Sequence, residues 1–282
     1  MKTLEFNKYV AAGNDFIIFD GDKIPKMDYN KLALEVCDRH FGLGCDGIMI
    51  CIESQRADIG MLYYNSDGSQ GEMCGNGIRS FSKYIYDHNI VNRKNISIET
   101  LAGIKYIDIF TDEKDKVTGI TVDMGLPVFE GKNIPITLHK DKIMEETITI
   151  DHKDYIFSAV SVGVPHVVIF VDDIDKINID DLGRKIENHP IFPQKTNVNF
   201  VEIIDKRNIN IYTWERGAGR TLGCGTGSCA AVVIGNILRR LDKDVHVKTE
   251  GGDLKISLGD DFQIFMTGDA THIANGNLIK MR

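Results

Sequence analysis

The 282-residue chain is 43% hydrophobic and 26% charged, an ordinary globular balance. Its length suits two domains of about 140 residues each better than one core. A formal net charge of −8 argues against nucleic acid or an anionic membrane as the main partner. The opening Met1-Lys2-Thr3-Leu4-Glu5-Phe6 lacks the apolar stretch of a signal peptide, and no apolar run reaches the ~20 residues that span a bilayer, so a cytoplasmic location is expected.

In chain order, residues 16–21 read as a buried strand ending in a turn. Residues 29–38, with Leu32, Leu34, Val36 and Cys37, read as a short amphipathic helix. Strands are predicted at 47–52 and 59–64. A polar, glycine-studded stretch, 65–77, then opens into a helix over 78–88 with the stripe Ile78, Phe81, Tyr84 and Ile85. β-rich runs occupy 96–109 and 119–124. Gly125-Leu126-Pro127 breaks the pattern and marks the domain boundary. Strands resume at 147–150, 155–162, 166–171, 198–204 and 209–214. A second polar loop, 215–227, leads into a second helix at 228–241, and strands at 245–248, 254–258 and 262–267 close the half. The expected domains are 1–124 with 272–282, carrying Cys74, and 125–271, carrying Cys224.

The restart is an internal repeat. Cys74-Gly75-Asn76-Gly77 precedes the first helix as Cys224-Gly225-Thr226-Gly227 precedes the second, 150 residues later. Thr100-Leu101-Ala102-Gly103 matches Thr249-Glu250-Gly251-Gly252 at an offset of 149. Two matches in the same order at nearly one offset, each in a loop-helix-strand context, imply two similar domains facing each other. Of the six cysteines, Cys37, Cys51 and Cys229 read as small buried hydrophobes, and Cys45 lies in a glycine-rich turn. No pair has zinc-type spacing, so no metal is expected.

A cysteine at a helix start faces unpaired N–H groups and the positive end of the macrodipole. Both favour the thiolate and predict a pKa below that of a free thiol. Neighbouring glycines let a ligand approach the backbone, and the same N–H groups suit a carboxylate. One such cysteine suggests a nucleophile or redox thiol. Two, on matching halves, suggest a two-base device in which one thiolate takes a proton from a carbon and the opposite thiol returns one to the other face. Arg216 has the fork for a carboxylate, and Glu215, nine residues before Cys224, is placed to tune that thiol or bind an ammonium group.

The motifs Gly13-Asn14-Asp15-Phe16, Asp67-Gly68-Ser69, Glu72-Met73-Cys74-Gly75-Asn76-Gly77, Thr196-Asn197-Val198-Asn199-Phe200-Val201 and Trp214-Glu215-Arg216-Gly217-Ala218-Gly219, ahead of Cys224-Gly225-Thr226-Gly227, closely resemble those of the diaminopimelate epimerases. The likeness runs in order through the whole chain. It implies an α+β fold of two pseudo-symmetric domains, each a curled mixed sheet around a central helix, with substrate bound between them. It implies neither pyridoxal phosphate nor metal, and a homodimer as the assembly. It makes Cys74 and Cys224 the acid/base pair, with His166 and Glu215 tuning the thiols. Asn14, Gly47, Asn65, Gly75, Asn76, Asn197, Glu215, Arg216, Gly225 and Thr226 take the substrate-binding positions. Three positions depart from the family pattern. Val164 replaces an asparagine that meets the distal end of the substrate, Gly47 stands where some members have glutamine, and Ala274 stands where some have a dimer-interface tyrosine.

The expected activity is interconversion of LL- and meso-diaminopimelate. The alternatives are a same-fold racemase of another amino acid, to which Val164 points, and a non-catalytic amino-acid-binding protein. Proline-racemase-like enzymes usually carry histidine where Asn76 stands, and phenazine-type isomerases do not use the cysteine pair. Exchange of the α-proton in deuterated water separates catalysis from binding.

Overall fold

The computed structural model describes residues 3–279. The chain divides into two compact units, one running to Asp123 and resuming at Thr267, the other Met124–Met266. The first contains β1 (Leu4–Ala11), β2 (Asn14–Asp20), α1 (Tyr29–Cys37), β3 (Gly47–Ile52), β4 (Ile59–Asn65), β5 (Gln70–Gly71), α2 (Gly75–Asp87), β6 (Asn95–Thr100), β7 (Gly103–Thr111) and β8 (Val117–Gly125). The second contains β9 (Ile143–Ile150), β10 (Lys153–Val162), β11 (Val164–Val171), α3 (Ile179–Glu187), β12 (Asn197–Asp205), β13 (Asn208–Glu215), β14 (Gly219–Thr221), α4 (Gly225–Ile237), β15 (Asp244–Thr249), β16 (Gly252–Leu258) and β17 (Ile264–Gly268). The last strand, β18 (Thr271–Leu278), returns to the first unit and pairs with β1.

Both units are mixed sheets with one plan. In the first, β2/β3 and β4/β6 are parallel, while β1/β2, β3/β4, β6/β7 and β7/β8 are antiparallel. In the second, β11/β12 and β13/β15 are parallel, while β9/β10, β10/β11, β12/β13 and β15/β16 are antiparallel. Each parallel pair is bridged by a helical crossover, as parallel strands require. The two nine-residue helices, α1 and α3, stand 150 residues apart, as do the thirteen-residue α2 and α4.

Strands β2 and β3 read as continuous apolar runs because both of their faces are covered. Ile17, Phe19, Ile48 and Ile50 pack with Leu32, Ala33 and Val36 of α1. The alternate residues Phe16 and Met49 point the other way, to the start of α2. The second unit repeats this with Val167, Ile169, Val198 and Phe200 against Leu182 and Ile186 of α3. Helices α2 and α4 are the enclosed ones. Twelve consecutive residues of α2, Gly75 to Tyr86, are buried, and Ser228 to Gly235 of α4 are buried without a break. A helix covered on every side needs packing on every side. Accordingly α2 touches β1, β2, β7 and β18, and α4 touches β10, β11, β12 and β16, so each sheet curls around its helix.

Both long helices start three residues earlier than the apolar stripe predicts, at Gly75 and Gly225, because the cysteines before them are N-caps. The second ends at Ile237 rather than 241: Arg239 turns to a φ of 58°, and Leu241 folds back onto Gly235, where a Cβ would strike its side chain. The periodicity did not reveal α3. Its three apolar anchors, Ile179, Leu182 and Ile186, are diluted by five charged residues. Gly183 sits where Trp214 leaves no room for a Cβ.

Helix α4 has no solvent face onto which a larger side chain could escape. Ala231, fully buried, is therefore expected to tolerate Leu badly: Ala231→Leu should lower the unfolding free energy by about 1–3 kcal/mol, read as a lower urea midpoint.

Candidate active site

In the first unit Cys74 is the N-cap of α2, and its sulfur accepts from the Gly77 backbone N–H at 3.4 Å. Behind it runs a chain of amides whose direction is fixed by a cation that can only donate. Arg79, fully buried, donates to the Gly75 carbonyl at 3.2 Å and to Asn76 Oδ1 at 3.0 Å. Asn76 Nδ2 then donates to Asn14 Oδ1 at 2.6 Å, and Asn14 Nδ2 to Asp46 Oδ2 at 3.0 Å. Arg39 completes the charge balance on Asp46 at 2.8 Å. Asn14 and Asn76 are thus brought together beside the cysteine with their amide faces set.

Asn65 ends β4. Its Oδ1 accepts from the Tyr63 hydroxyl at 2.6 Å and its Nδ2 donates to Ser69 at 3.0 Å. Gly47 offers no side chain. A Cβ there would lie 2.7 Å from the Tyr63 ring, and one at Gly71 would lie 2.5 Å from it. The two glycines form a slot for Tyr63.

In the second unit Cys224 caps α4 and is 6% exposed. Its thiol donates to Glu215 Oε2 at 3.4 Å and lies 3.4 Å from the Thr226 hydroxyl, while Thr221 donates to Glu215 Oε1 at 2.6 Å. Burial, then the Glu215 charge, push the Cys224 thiol well above its ordinary pKa, and the Thr226 and Gly227 hydrogen bonds only partly offset them. The sequence predicts a depressed pKa at this helix start. The structure corrects that for Cys224, because desolvation and a carboxylate on the sulfur outweigh the helix terminus.

Asn197 pins the surrounding loops. Its Nδ2 donates to the Pro165 carbonyl at 2.8 Å, and its Oδ1 accepts from the Arg216 backbone N–H at 2.9 Å. The Arg216 side chain reaches into solvent, with one long bond at 3.4 Å to the Gln194 carbonyl. His166 is fully buried beside Asn199, at 3.2 Å, and burial, then the Arg216 charge, push its pKa down to about 3. Gly75 and Gly225 are the first residues of their helices.

Four supporting residues escaped the motif reading. Arg79 and Asp46 fix the amide chain, and Tyr63 holds Asn65. Glu187, buried at the end of α3, accepts from Trp214 Nε1 at 2.8 Å and from the Gly217 N–H at 2.9 Å, and so fixes the loop that carries Glu215 and Arg216. The signal for Arg79 was its place one turn into a buried helix, and for Glu187 a carboxylate following the apolar anchor Ile186. Among the described residues no three His, Cys, Asp or Glu side chains gather as a metal site.

The chain matches the family model for diaminopimelate epimerase over residues 6–130 and 158–273. The diaminopimelate epimerase of Alkaliphilus metalliredigens is 43% identical over 274 residues, covering 97% of this chain and 96% of its own. That of Caldanaerobacter subterraneus subsp. tengcongensis is 41% identical over 275 residues, covering 98% and 99%. Among solved structures, a PhzF-family phenazine biosynthesis protein from Bacillus anthracis superposes with a TM-score of 0.73 at 18% identity, over 99% of this chain and 100% of that one. A hydroxyproline epimerase from Agrobacterium vitis, with bound trans-4-hydroxy-L-proline, gives 0.72 at 13% identity, over 98% and 92%. At such identities the likeness is one of fold.

The charge on Glu215 raises the Cys224 pKa, so neutralising it should act in the opposite sense. Glu215→Gln is expected to lower the pH at which Cys224 becomes alkylated by iodoacetamide, followed by mass spectrometry of its peptide. An unchanged or higher midpoint would contradict the assignment.

Proposed function

The chain belongs to the diaminopimelate epimerase family, and on that premise we propose that it interconverts LL- and meso-diaminopimelate by passing the α-proton between two thiols, without a cofactor. The observation that carries this reading is that each cysteine caps a helix whose first residue is glycine. Helix starts present N–H groups that have no intrahelical acceptor, and these suit the α-carboxylate and stabilise charge as the α-carbon becomes carbanionic.

In this reading Cys74 and Cys224 attend opposite faces of one α-carbon. Cys224, held protonated by burial and by Glu215, is the proton donor in one direction. Cys74, whose sulfur accepts from a backbone N–H, is the base in that direction. The roles exchange in reverse. His166 and Glu215 tune the two thiols. Asn14, Gly75, Asn76, Gly225 and Thr226 receive the reacting amino-acid end, and Asn65, Asn197, Glu215 and Arg216 add polar contacts to substrate. Gly47 contributes backbone alone, with Tyr63 filling the space of a side chain there.

A second reading, a racemase of another amino acid, is favoured by one residue. Val164 is 37% exposed and cannot make the hydrogen bonds of an asparagine. A homodimer and a cytoplasmic location complete the proposal. The dimer reading is supported by five consecutive exposed residues of β18, Thr271 to Asn275, and among the described residues no helix is long and apolar enough to cross a membrane. The small molecule is the expected partner, and nucleic acid is not.

Incubation with LL-diaminopimelate in deuterated water should yield the meso isomer with deuterium at the inverted carbon. Cys74→Ala and Cys224→Ala should each reduce inversion by roughly 10²-fold or more, the scale of a lost acid/base group. Wild-type turnover in either variant would refute the two-base reading. Exchange with another amino acid but not with diaminopimelate would establish the racemase.

A further inference from the structure

The two units place different chemistry on the same backbone positions. Phe16, Met49 and Tyr63 in the first unit correspond, 150 residues on, to His166, Asn199 and Thr213 in the second. Strand register confirms the match: Ile18 pairs with Met49 and Met49 with Tyr63, as Val168 pairs with Asn199 and Asn199 with Thr213. Each trio lies under the start of its long helix. A Cβ at Gly77 would strike the Met49 methyl, and one at Gly227 would strike Asn199 Oδ1. In the first unit Phe16 and Met49 are apolar, and the Tyr63 ring meets Phe16 edge-on at 6.1 Å while its hydroxyl donates to Asn65. The fold therefore does not need polar residues at the positions of Phe16 and Met49, which His166 and Asn199 occupy in the second unit. In the second unit all three are polar and buried, with exposures of 0% for His166, 0% for Asn199 and 3% for Thr213. Burying polar groups where apolar ones serve the fold calls for a use other than packing.

The hydrogen bonds within the polar trio have one consistent direction. Asn199 Nδ2 lies 2.9 Å from the Val167 carbonyl, which can only accept, so this end of the side chain is the NH2. Asn199 Oδ1 accepts from the Thr213 hydroxyl at 3.0 Å. The second Nδ2 hydrogen meets His166 Nδ1 at 3.2 Å, so Nδ1 presents a lone pair and the ring proton resides on Nε2. Nε2 is buried and has no hydrogen-bond partner among the described residues. A buried N–H left in this condition is costly, and a group that arrives to accept from it recovers that cost.

We infer that Asn199 is a positioning residue that fixes His166 as the neutral Nε2–H tautomer, so that a single oriented N–H is offered to the reacting groups. This rests on the epimerase reading above. Arg216 and burial both disfavour the imidazolium, which would in any case set a second donor against Asn199 Nδ2. His166 therefore acts as a donor of constant protonation rather than as a titrating base. Tuning of a thiol by His166 becomes a matter of hydrogen bonding: a fixed N–H stabilises a nearby thiolate and carries no charge of its own to move.

The test is nitrogen-15 NMR of ring-labelled histidine, with His166 assigned by its absence from a His166→Gln spectrum and by its failure to titrate near neutral pH. Wild-type protein should show a pyridine-like Nδ1 and a pyrrole-like, protonated Nε2. Asn199→Asp supplies an acceptor to Nδ1 and should move the proton there, lowering kcat by about tenfold or more with a smaller change in KM. Thr213→Val removes a neighbouring bond of the same trio but leaves the Val167 anchor, and should keep the Nε2–H form. A wild-type ring protonated on Nδ1 would overturn the inference. So would Asn199→Asp with an inverted tautomer and wild-type kcat. Deuterium exchange by the wild-type enzyme tests the epimerase reading separately, because the spectrum reports the tautomer whether or not diaminopimelate is the substrate.

Discussion

The structure depends on enclosing two helices that have no face for water. Burying α2 and α4 on all sides forces each sheet to curl, which explains why strands as distant in sequence as β1, β7 and β18 touch one helix. It also decides where chemistry can occur. The interior of an enclosed helix satisfies its own backbone, and only its termini keep unpaired groups. At both N-termini the capping residue is a cysteine, and the third helical residue must be glycine because a side chain from the sheet below occupies the space of its Cβ. The reactive sulfur, the open backbone and the residue beneath are thus parts of one packing solution, used twice.

Duplication of the backbone did not duplicate the electrostatics. Helix α2 itself carries a buried guanidinium, Arg79, from which the amides Asn76 and Asn14 are aligned towards Asp46. At the corresponding positions, 150 residues on, the second unit has Cys229, Thr226, Val164 and Thr196, and the relay is gone. In its place a carboxylate, Glu215, sits on the sulfur of Cys224. One thiol is therefore near a cation-anchored network and the other is held by burial and negative charge. A device that moves a proton in both directions gains from such asymmetry, since two equivalent thiols would have no defined resting proton.

Much of this was legible in the sequence. The repeat of Cys74 and Cys224 stood out because a second match follows it in the same order at nearly the same offset, and the strands β2, β3, β11 and β12 announced themselves as apolar runs. What escaped did so for physical reasons. Helix α3 is short and mostly charged, so its period rests on three residues. The starts of α2 and α4 hide behind glycines, which are poor helix formers, and only the cap geometry discloses them. The Cys224 pKa could not be read from its helix position, because its burial and its contact with Glu215 are tertiary. His166 was legible as a motif residue, but Asn199, two positions beyond Asn197 in the same strand, gained its meaning only when the register set it beside the ring.

The departures at Gly47 and Val164 look alike in sequence and differ in structure. At Gly47 the missing side chain is replaced in space: the Tyr63 ring fills the slot between Gly47 and Gly71, and its hydroxyl holds Asn65. At Val164 the side chain is present, exposed and apolar, and the counterpart of Asn14 is simply not an amide. An unpaired polar group on a ligand costs more than a lost apolar contact, so a substrate with a charged distal end must find its partners elsewhere. Asn65 is fixed through Tyr63, and Asn197 is fixed between the Pro165 carbonyl and the Arg216 backbone. The two asparagines are thus set by other residues, each within its own unit, whereas the Arg216 guanidinium reaches into solvent on one long bond to Gln194, so a polar group meeting it must order that side chain itself.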